Sequence, residues 1–300
     1  MRTTSSRHGW RSTSTERFGR VARGRDRWTV NSHSNNGAWS TSHANPDDYG
    51  SFVAVHLTWS ESICSIRIDR PEKRNAVDLA TLREIEAAQA EAASGRARVV
   101  VLSGSPPAFC SGADLGGVEL GEFTDVLLSV LRGFGRLDCI TLASIQGAAL
   151  GAGSQLAAAC DVRMASSDAR FGVPAAKLGL AVDTWTIARL GREAGWSSAR
   201  RMLLTGESMT TNDLLGGFVH RVGDHATAMA WAEELSALAP LTVKAHKMAL
   251  ERLFDEEVGA TGSISSNDVE SARLEAWGSN DAIEGRAAFL EKRPPRFDGR

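Results

Sequence analysis

Ile140 to Arg163, ITLASIQGAALGAGSQLAAACDVR, changes its hydrophobic period twice within 24 residues. Ile140 to Gln146 has the β-branched, apolar character of a buried strand, a glycine-broken turn follows, and Ser154 to Cys160 is small and apolar, as a buried helix would be. A strand that runs into a helix through Gly147, Gly151 and Gly153 exposes backbone N–H groups at a helix N-terminus, which is an anion or oxyanion site made of main chain. A second such turn lies upstream, where the apolar run Arg98 to Gly104 (RVVVLSG) leads into Ala108-Phe-Cys-Ser-Gly-Ala-Asp114. Two strand-to-loop turns, each presenting one N–H, are what a carbonyl oxygen gathering negative charge requires.

Around these turns the composition sets bounds. The 300 residues are 42% hydrophobic and 23% charged with a net charge of -2, enough for one large or two small domains with an adequate core. That balance gives no reason to expect a nucleic acid as partner. No apolar run reaches the length of a membrane span. The four cysteines, Cys64, Cys110, Cys139 and Cys160, are scattered without Cys-x-x-Cys spacing, which fits reduced thiols in a cytoplasmic protein better than a disulfide or zinc framework. Cys110, beside the upstream turn, is read as a small packed residue.

Residues 1–51 differ from the rest: eight arginines, no lysine, four acids, many Ser and Thr, and Trp10, Trp28 and Trp39 isolated among polar neighbours. The segment resembles a transit peptide only superficially, and it lacks the periodic apolar face that would repay its ordering entropy, so a disordered Arg/Ser-rich extension is expected. Ordered chain is expected from two alternating strands, Phe52 to Thr58 and Ser62 to Asp69. A basic loop, Arg70 to Ala76, precedes a helix started by Asp78, with Leu79, Leu82, Ile85 and Ala88 on one face. Strands alternating with helices point to parallel strands with crossover helices. Beyond the glycine-broken turn and its helix the pattern predicts a short strand at Val162 to Ala165, an extended segment at Ala169 to Val173, and helices over Thr184 to Ala194, Ser197 to Leu204 and Thr210 to Leu215. Val219 to Val222 reads as a last strand. Helices alone are expected beyond it, over Ala226 to Leu238, Val243 to Phe254 and a long one from about Asp268 to Leu290. The expected organisation is an extension (1–51), an α/β core (52–223) and a C-terminal helical region (224–300).

Several separated motifs then stand in order: Arg70-Pro-Glu-Lys-Arg-Asn-Ala76, Ala108-Phe-Cys-Ser-Gly-Ala-Asp114, Gly147-Ala-Ala-Leu-Gly-Ala-Gly153, Cys160-Asp161, Phe171-Gly-Val-Pro174 and Asp281-Ala-Ile-Glu-Gly-Arg-Ala-Ala-Phe-Leu-Glu-Lys-Arg293. With them the chain resembles the crotonase, or enoyl-CoA hydratase/isomerase, superfamily from about Val53 onward. The resemblance implies a crotonase-type α/β spiral of ββα units whose C-terminal helices pack against neighbours in a trimer or a dimer of trimers. It implies acyl-CoA as ligand, coenzyme A being part of that ligand and no cofactor being permanently bound. The thioester oxygen would be held by the N–H groups of Ala113 and Ala152. Arg74, the backbone near Ala76, and the turn residues Ser111 and Ala113 would face coenzyme A, joined by Phe289 and Lys292 from a neighbouring subunit.

The family's hydratases add water across a double bond with two carboxylates, and here the matching positions are Gln155 and Ala175. Gln hydrogen-bonds but takes no proton at ordinary pH, and Ala does neither. Asp114 and Asp161 are read as structural. Asp183 falls where a related aryl-CoA dehalogenase carries its nucleophile, and its plainer reading is the N-cap of the helix beginning near Thr184. Gln155, Ala175, Gly179 to Trp185, Ala276-Trp-Gly-Ser and Glu291-Lys-Arg-Pro-Pro-Arg-Phe297 are together most similar to a mycobacterial subgroup of mycolic-acid synthesis that binds long fatty acyl-CoA without hydratase activity. That resemblance implies an apolar acyl pocket lined by Leu180, Val182 and Trp185. No dinucleotide loop, G-x-S-x-G motif, metal site or His-dependent triad is expected. The expectation is therefore a fatty acyl-CoA-binding member of the hydratase family. An active hydratase or isomerase using Asp183 is the alternative, and a scaffold for lipid-synthesis enzymes that binds no ligand is a third reading.

Overall fold

The computed structural model describes residues 54–114, 116, 120–259 and 264–300. The expected extension, 1–51, lies outside the described residues, as does the start of the first expected strand at Phe52. In chain order the elements are β1 (Val55–Ser60), β2 (Ile63–Ile68), α1 (Leu79–Ser94), β3 (Val99–Gly104), α2 (Leu120–Arg136), β4 (Ile140–Ile145), β5 (Ala148–Leu150), α3 (Ala152–Ala159), β6 (Val162–Ala165) and β7 (Arg170–Gly172). They continue with α4 (Thr184–Ala194), α5 (Trp196–Leu204), β8 (Met209–Thr210), α6 (Thr211–Leu214), β9 (Arg221–Val222), α7 (His225–Ser236), α8 (Pro240–Glu257), α9 (Ser266–Gly278) and α10 (Asn280–Glu291). Short 3-10 turns at Pro71–Lys73 and Pro174–Leu178 each begin with the proline, whose fixed φ suits a first helical position.

Six strands form one sheet in the order β1-β2-β3-β4-β6-β9. Only the β1–β2 hairpin is antiparallel, and every later pair is parallel. The continuous run Val99 to Leu102 fits a strand buried on both faces. Val100 and Leu102 enter the main core with Leu82 and Ile85 of α1 and Leu131 and Phe134 of α2, while Val99 and Val101 meet Ala228, Trp231 and Ala232 of α7. A smaller sheet, β5-β7-β8, carries the glycine-broken turn.

Asp78 starts α1 as an N-cap, its Oδ1 accepting from Thr81 N–H at 2.8 Å. The two acids read as structural tie elements together. Asp114 accepts from Lys73 Nζ at 2.6 Å and Arg70 at 3.3 Å. Asp161 accepts from the Thr141 N–H at 2.7 Å and from the buried Lys247 Nζ of α8 at 2.7 Å. The single long helix expected over Asp268 to Leu290 is instead two. Ser279 is extended (φ -75°, ψ 159°), ends α9, and caps α10 by accepting from Ala282 N–H at 3.1 Å. A serine after a glycine offers both the stop and the next N-cap. The helix expected over Thr210 to Leu215 is the single turn α6, started by a Thr210–Asp213 capping box.

Candidate functional site

The two turns read from the sequence are zipped together by main chain. Cys110 N–H donates to Ala148 O at 3.0 Å and Leu150 N–H to Cys110 O at 2.9 Å. On the other side, Val77 N–H donates to Gly112 O at 2.9 Å and Asp114 N–H to Val77 O at 2.8 Å. That pairing spans Ala113 and leaves its N–H on the opposite side of the strand. Ala152 is the first residue of α3, one of the N–H groups no helix satisfies internally. Among the described residues neither N–H has a hydrogen-bond partner. Gly151, at φ 52° and ψ -118°, makes the entry into α3 in a conformation open to glycine. Gly112, at φ 125°, lies against Leu150, so the two turns touch through glycines.

Ala113 and Ala152 share the wall of one cavity of about 220 Å³ with Ser111, Gln155, Ala175 and Asp183. Phe123 and Leu127 of α2 and Leu178, Leu180 and Val182 of the segment before α4 make much of its apolar lining. All eight residues of α3 are buried, which makes it a rigid platform for Ala152 and Gln155. Gln155 Nε2 donates to Thr186 Oγ1 at 3.2 Å. Thr186 Oγ1 in turn donates to Asp183 Oδ2 at 2.7 Å, and Thr186 N–H to Asp183 Oδ1 at 3.0 Å. Asp183 is thus the N-cap of α4 and a cavity residue together.

Other expected residues fall elsewhere. Trp185 does not line the cavity: it is buried against Phe254, edge to face with ring centroids 5.8 Å apart, with Arg189 over its ring. The first turn of α4 sends it inward because it lies two positions past the N-cap, while Val182 precedes the cap and stays on the cavity side. Arg74 and Ala76 are outside the cavity lining. Arg74 is exposed, and its carbonyl accepts from the Ser111 N–H at 3.0 Å, which fastens the basic loop to the turn. Arg70 and Lys73 are engaged by Asp78 and Asp114, whereas Arg74 has no carboxylate partner among the described residues. Phe289, 82% exposed, and Lys292, in left-handed backbone (φ 56°) at the end of α10, are on the surface and outside this cavity. Cys110 is fully buried, and burial pushes its thiol up to about 12.

Thr186 and the α2 residues Phe123 and Leu127 escaped the sequence reading. The signal for α2 was present: Phe123, Leu127, Val130, Leu131 and Phe134 recur at helical spacing and are all buried. Thr186 carries no such signal, since a threonine three residues after an N-cap is ordinary. Among the described residues no group of three His, Cys, Asp or Glu side chains is placed to hold a metal ion, and no helix is long and apolar enough to cross a membrane.

Comparison with known proteins gives a consistent picture. Residues 58–300 match the family described as Enoyl-CoA hydratase/isomerase. The chain is 38% identical over 249 residues to the probable enoyl-CoA hydratase echA6 of Mycobacterium bovis, covering 82% of this chain and 99% of that one. It is 31% identical over 257 residues to the human enoyl-CoA hydratase domain-containing protein 2, mitochondrial, covering 80% of this chain and 87% of that one. Among solved structures, an enoyl-CoA hydratase/carnithine racemase from Magnetospirillum magneticum superposes with a TM-score of 0.73 at 28% identity, covering 82% of this chain and 96% of its own.

Proposed function

The chain belongs to the enoyl-CoA hydratase/isomerase family and has its crotonase-type α/β fold, and from that premise we propose that it binds fatty acyl-CoA thioesters without hydrating them. The observation that carries this reading is the content of one cavity wall. The backbone of Ala113 and Ala152 stands there beside Gln155 and Ala175, so two N–H donors for a thioester oxygen meet no paired carboxylates. The acyl chain runs along Phe123, Leu127, Leu180 and Val182, whose burial against it supplies roughly 0.8 kcal/mol per methylene. Arg74, free of a carboxylate partner among the described residues, meets a coenzyme A phosphate, and Ser111 and the Ala76 backbone flank it. Phe289 and Lys292 reach the coenzyme from a neighbouring subunit of a homotrimer or dimer of trimers, in the cytoplasm.

A second reading has one observation in its favour: Asp183 lines the same cavity, and an isomerase or other acyl-CoA enzyme would use it as acid, base or nucleophile. Both its oxygens accept hydrogen bonds from Thr186, which suits a cap better than a proton carrier. Calorimetric titration with palmitoyl-CoA tests the binding. Proline is tolerated at a first helical position but has no N–H, so Ala152→Pro should weaken palmitoyl-CoA roughly tenfold or more. Equal affinity of wild type and Ala152→Pro would contradict the assignment.

A further inference from the structure

The face of the main sheet turned toward α7, away from α1 and α2, carries a polar row in which the acyl cavity has no part. Val99 and Val101 of β3, Leu142 of β4 and Met164 of β6 pack there with Ala228 and Trp231 of α7. Alternation along each strand places Ser103, Ser144 and Ser166 on that same face. Arg67 stands opposite Ser103 and Ser103 opposite Ser144 in the parallel register, and the Ser166 N–H continues the ladder by donating to Ile145 O at 2.8 Å. The row lies at the carboxyl ends of β2, β3, β4 and β6, where open parallel sheets take their ligands.

Its donors are short of acceptors. Ser103 is 5% exposed and its hydroxyl has no hydrogen-bond partner among the described residues. The Ser166 Oγ is buried and likewise unpartnered. Ser144 Oγ lies 3.0 Å from His225 Nδ1, which docks the first residue of α7 over the row. Within α7, Thr227 N–H is taken by Asp224 Oδ1 and Ala228 N–H by Asp224 O. The N–H groups of His225 and Ala226 have no partner among the described residues, and they carry the positive end of the helix dipole.

The charges agree with the donor count. Burial first, and then the positive charge of Arg67, push the His225 pKa down, so guanidinium and imidazole face one space. The acids around it are already engaged. Asp69 is 3.9 Å from Arg67 and is held more closely by His56, at 3.0 Å. Asp224 accepts from both the N–H and the hydroxyl of Thr227, at 2.8 and 2.6 Å.

We propose that Arg67, Ser103, Ser166 and the first turn of α7 form a phosphate site, which takes inorganic phosphate or the phosphoryl group of a monoester. The guanidinium, the two hydroxyls and the two N–H groups all donate, and the oxygens of a phosphate dianion only accept. Ser144 is a positioning residue, since it acts through His225.

The test follows the His225 imidazole in proton–nitrogen NMR spectra of the full chain, assigned with His225→Gln. Sodium phosphate is titrated against sodium chloride at matched ionic strength. Phosphate should move the His225 signal and saturate in the millimolar range, and chloride should not. Methyl phosphate separates the two sources: saturation by it as well assigns the site to monoesters, and its failure beside phosphate assigns it to the free anion, each upholding the site. Arg67→Met and Ser103→Ala should each weaken phosphate roughly tenfold, whereas Arg74→Met, on the basic loop, should leave the response unchanged. The Arg67 side chain is 52% exposed, so its replacement leaves the core intact. A His225 signal that phosphate moves no more than chloride does, or a response that Arg67→Met leaves at full strength, overturns the proposal.

Discussion

Gly153 and Cys110 meet so closely that a Cβ on Gly153 would stand 2.1 Å from the Cys110 carbonyl oxygen. That carbonyl also accepts from Leu150 N–H at 2.9 Å, so it sits at the seam of the two turns and cannot yield without moving one against the other. The spacing between Ala113 and Ala152 therefore depends on a missing methyl group.

Gly153→Ala should cost about 1–3 kcal/mol by overpacking and, under the proposed function, should also weaken palmitoyl-CoA binding by moving one turn against the other. Gly179→Ala is the contrast. Gly179 has open space around it at φ 69°, so the cost is the left-handed strain alone, about 1 kcal/mol. Urea denaturation of the two variants checks the order. A Gly153→Ala protein as stable as wild type would contradict the close packing of the turns.

The four thiols should be inert in the folded protein. Burial comes first among the causes that push Cys64, Cys110 and Cys160 up to about 12 and Cys139 to about 11. The thiolate is the reactive species, so Ellman's reagent at pH 8 should label none of them natively and all four in denaturant. Rapid native labelling of Cys110 would contradict its place between the turns.

Asp114 ties the basic loop to the upstream turn, and its effect should depend on pH. The hydrogen bond from Lys73, ahead of other influences, holds its carboxyl below the usual range. A pKa lowered by folding means that the unfolded chain binds the proton more readily. The stabilisation is full above the ordinary value of about 4 and is lost as pH falls through the folded value. Lys73→Met should lower stability at pH 7, and its difference from wild type should shrink toward pH 3 in urea titrations. A difference of constant size would show that the pair is not what Lys73 contributes.

Much of this was legible in the chain because it depends on local signals. Glycines at 147, 151 and 153 marked the turn, Asp78 and Asp183 marked helix starts, and the Val99 to Leu102 run marked a strand buried on both faces. What was not legible depends on which way an element turns once packed. Trp185 and Val182 are three residues apart and both apolar, yet the N-cap between them sends one to the core and leaves the other at the cavity. The Gln155 to Thr186 hydrogen bond joins residues 31 positions apart, and no spacing rule connects them. The break at Ser279 was missed because apolar residues continue on both sides of it, and only the serine's double capping interrupts them.

Under the proposed function, a chain with Gln155 and Ala175 at the two carboxylate positions holds acyl-CoA without hydrating it. The most direct measurement follows the conjugated thioester absorbance of crotonyl-CoA and a longer 2-enoyl-CoA incubated with purified protein, with saturated acyl-CoA binding measured in parallel. Tight binding and no loss of absorbance above buffer are expected. Turnover that disappears in Asp183→Asn but survives in Gln155→Ala would contradict that function and make Asp183 the working residue.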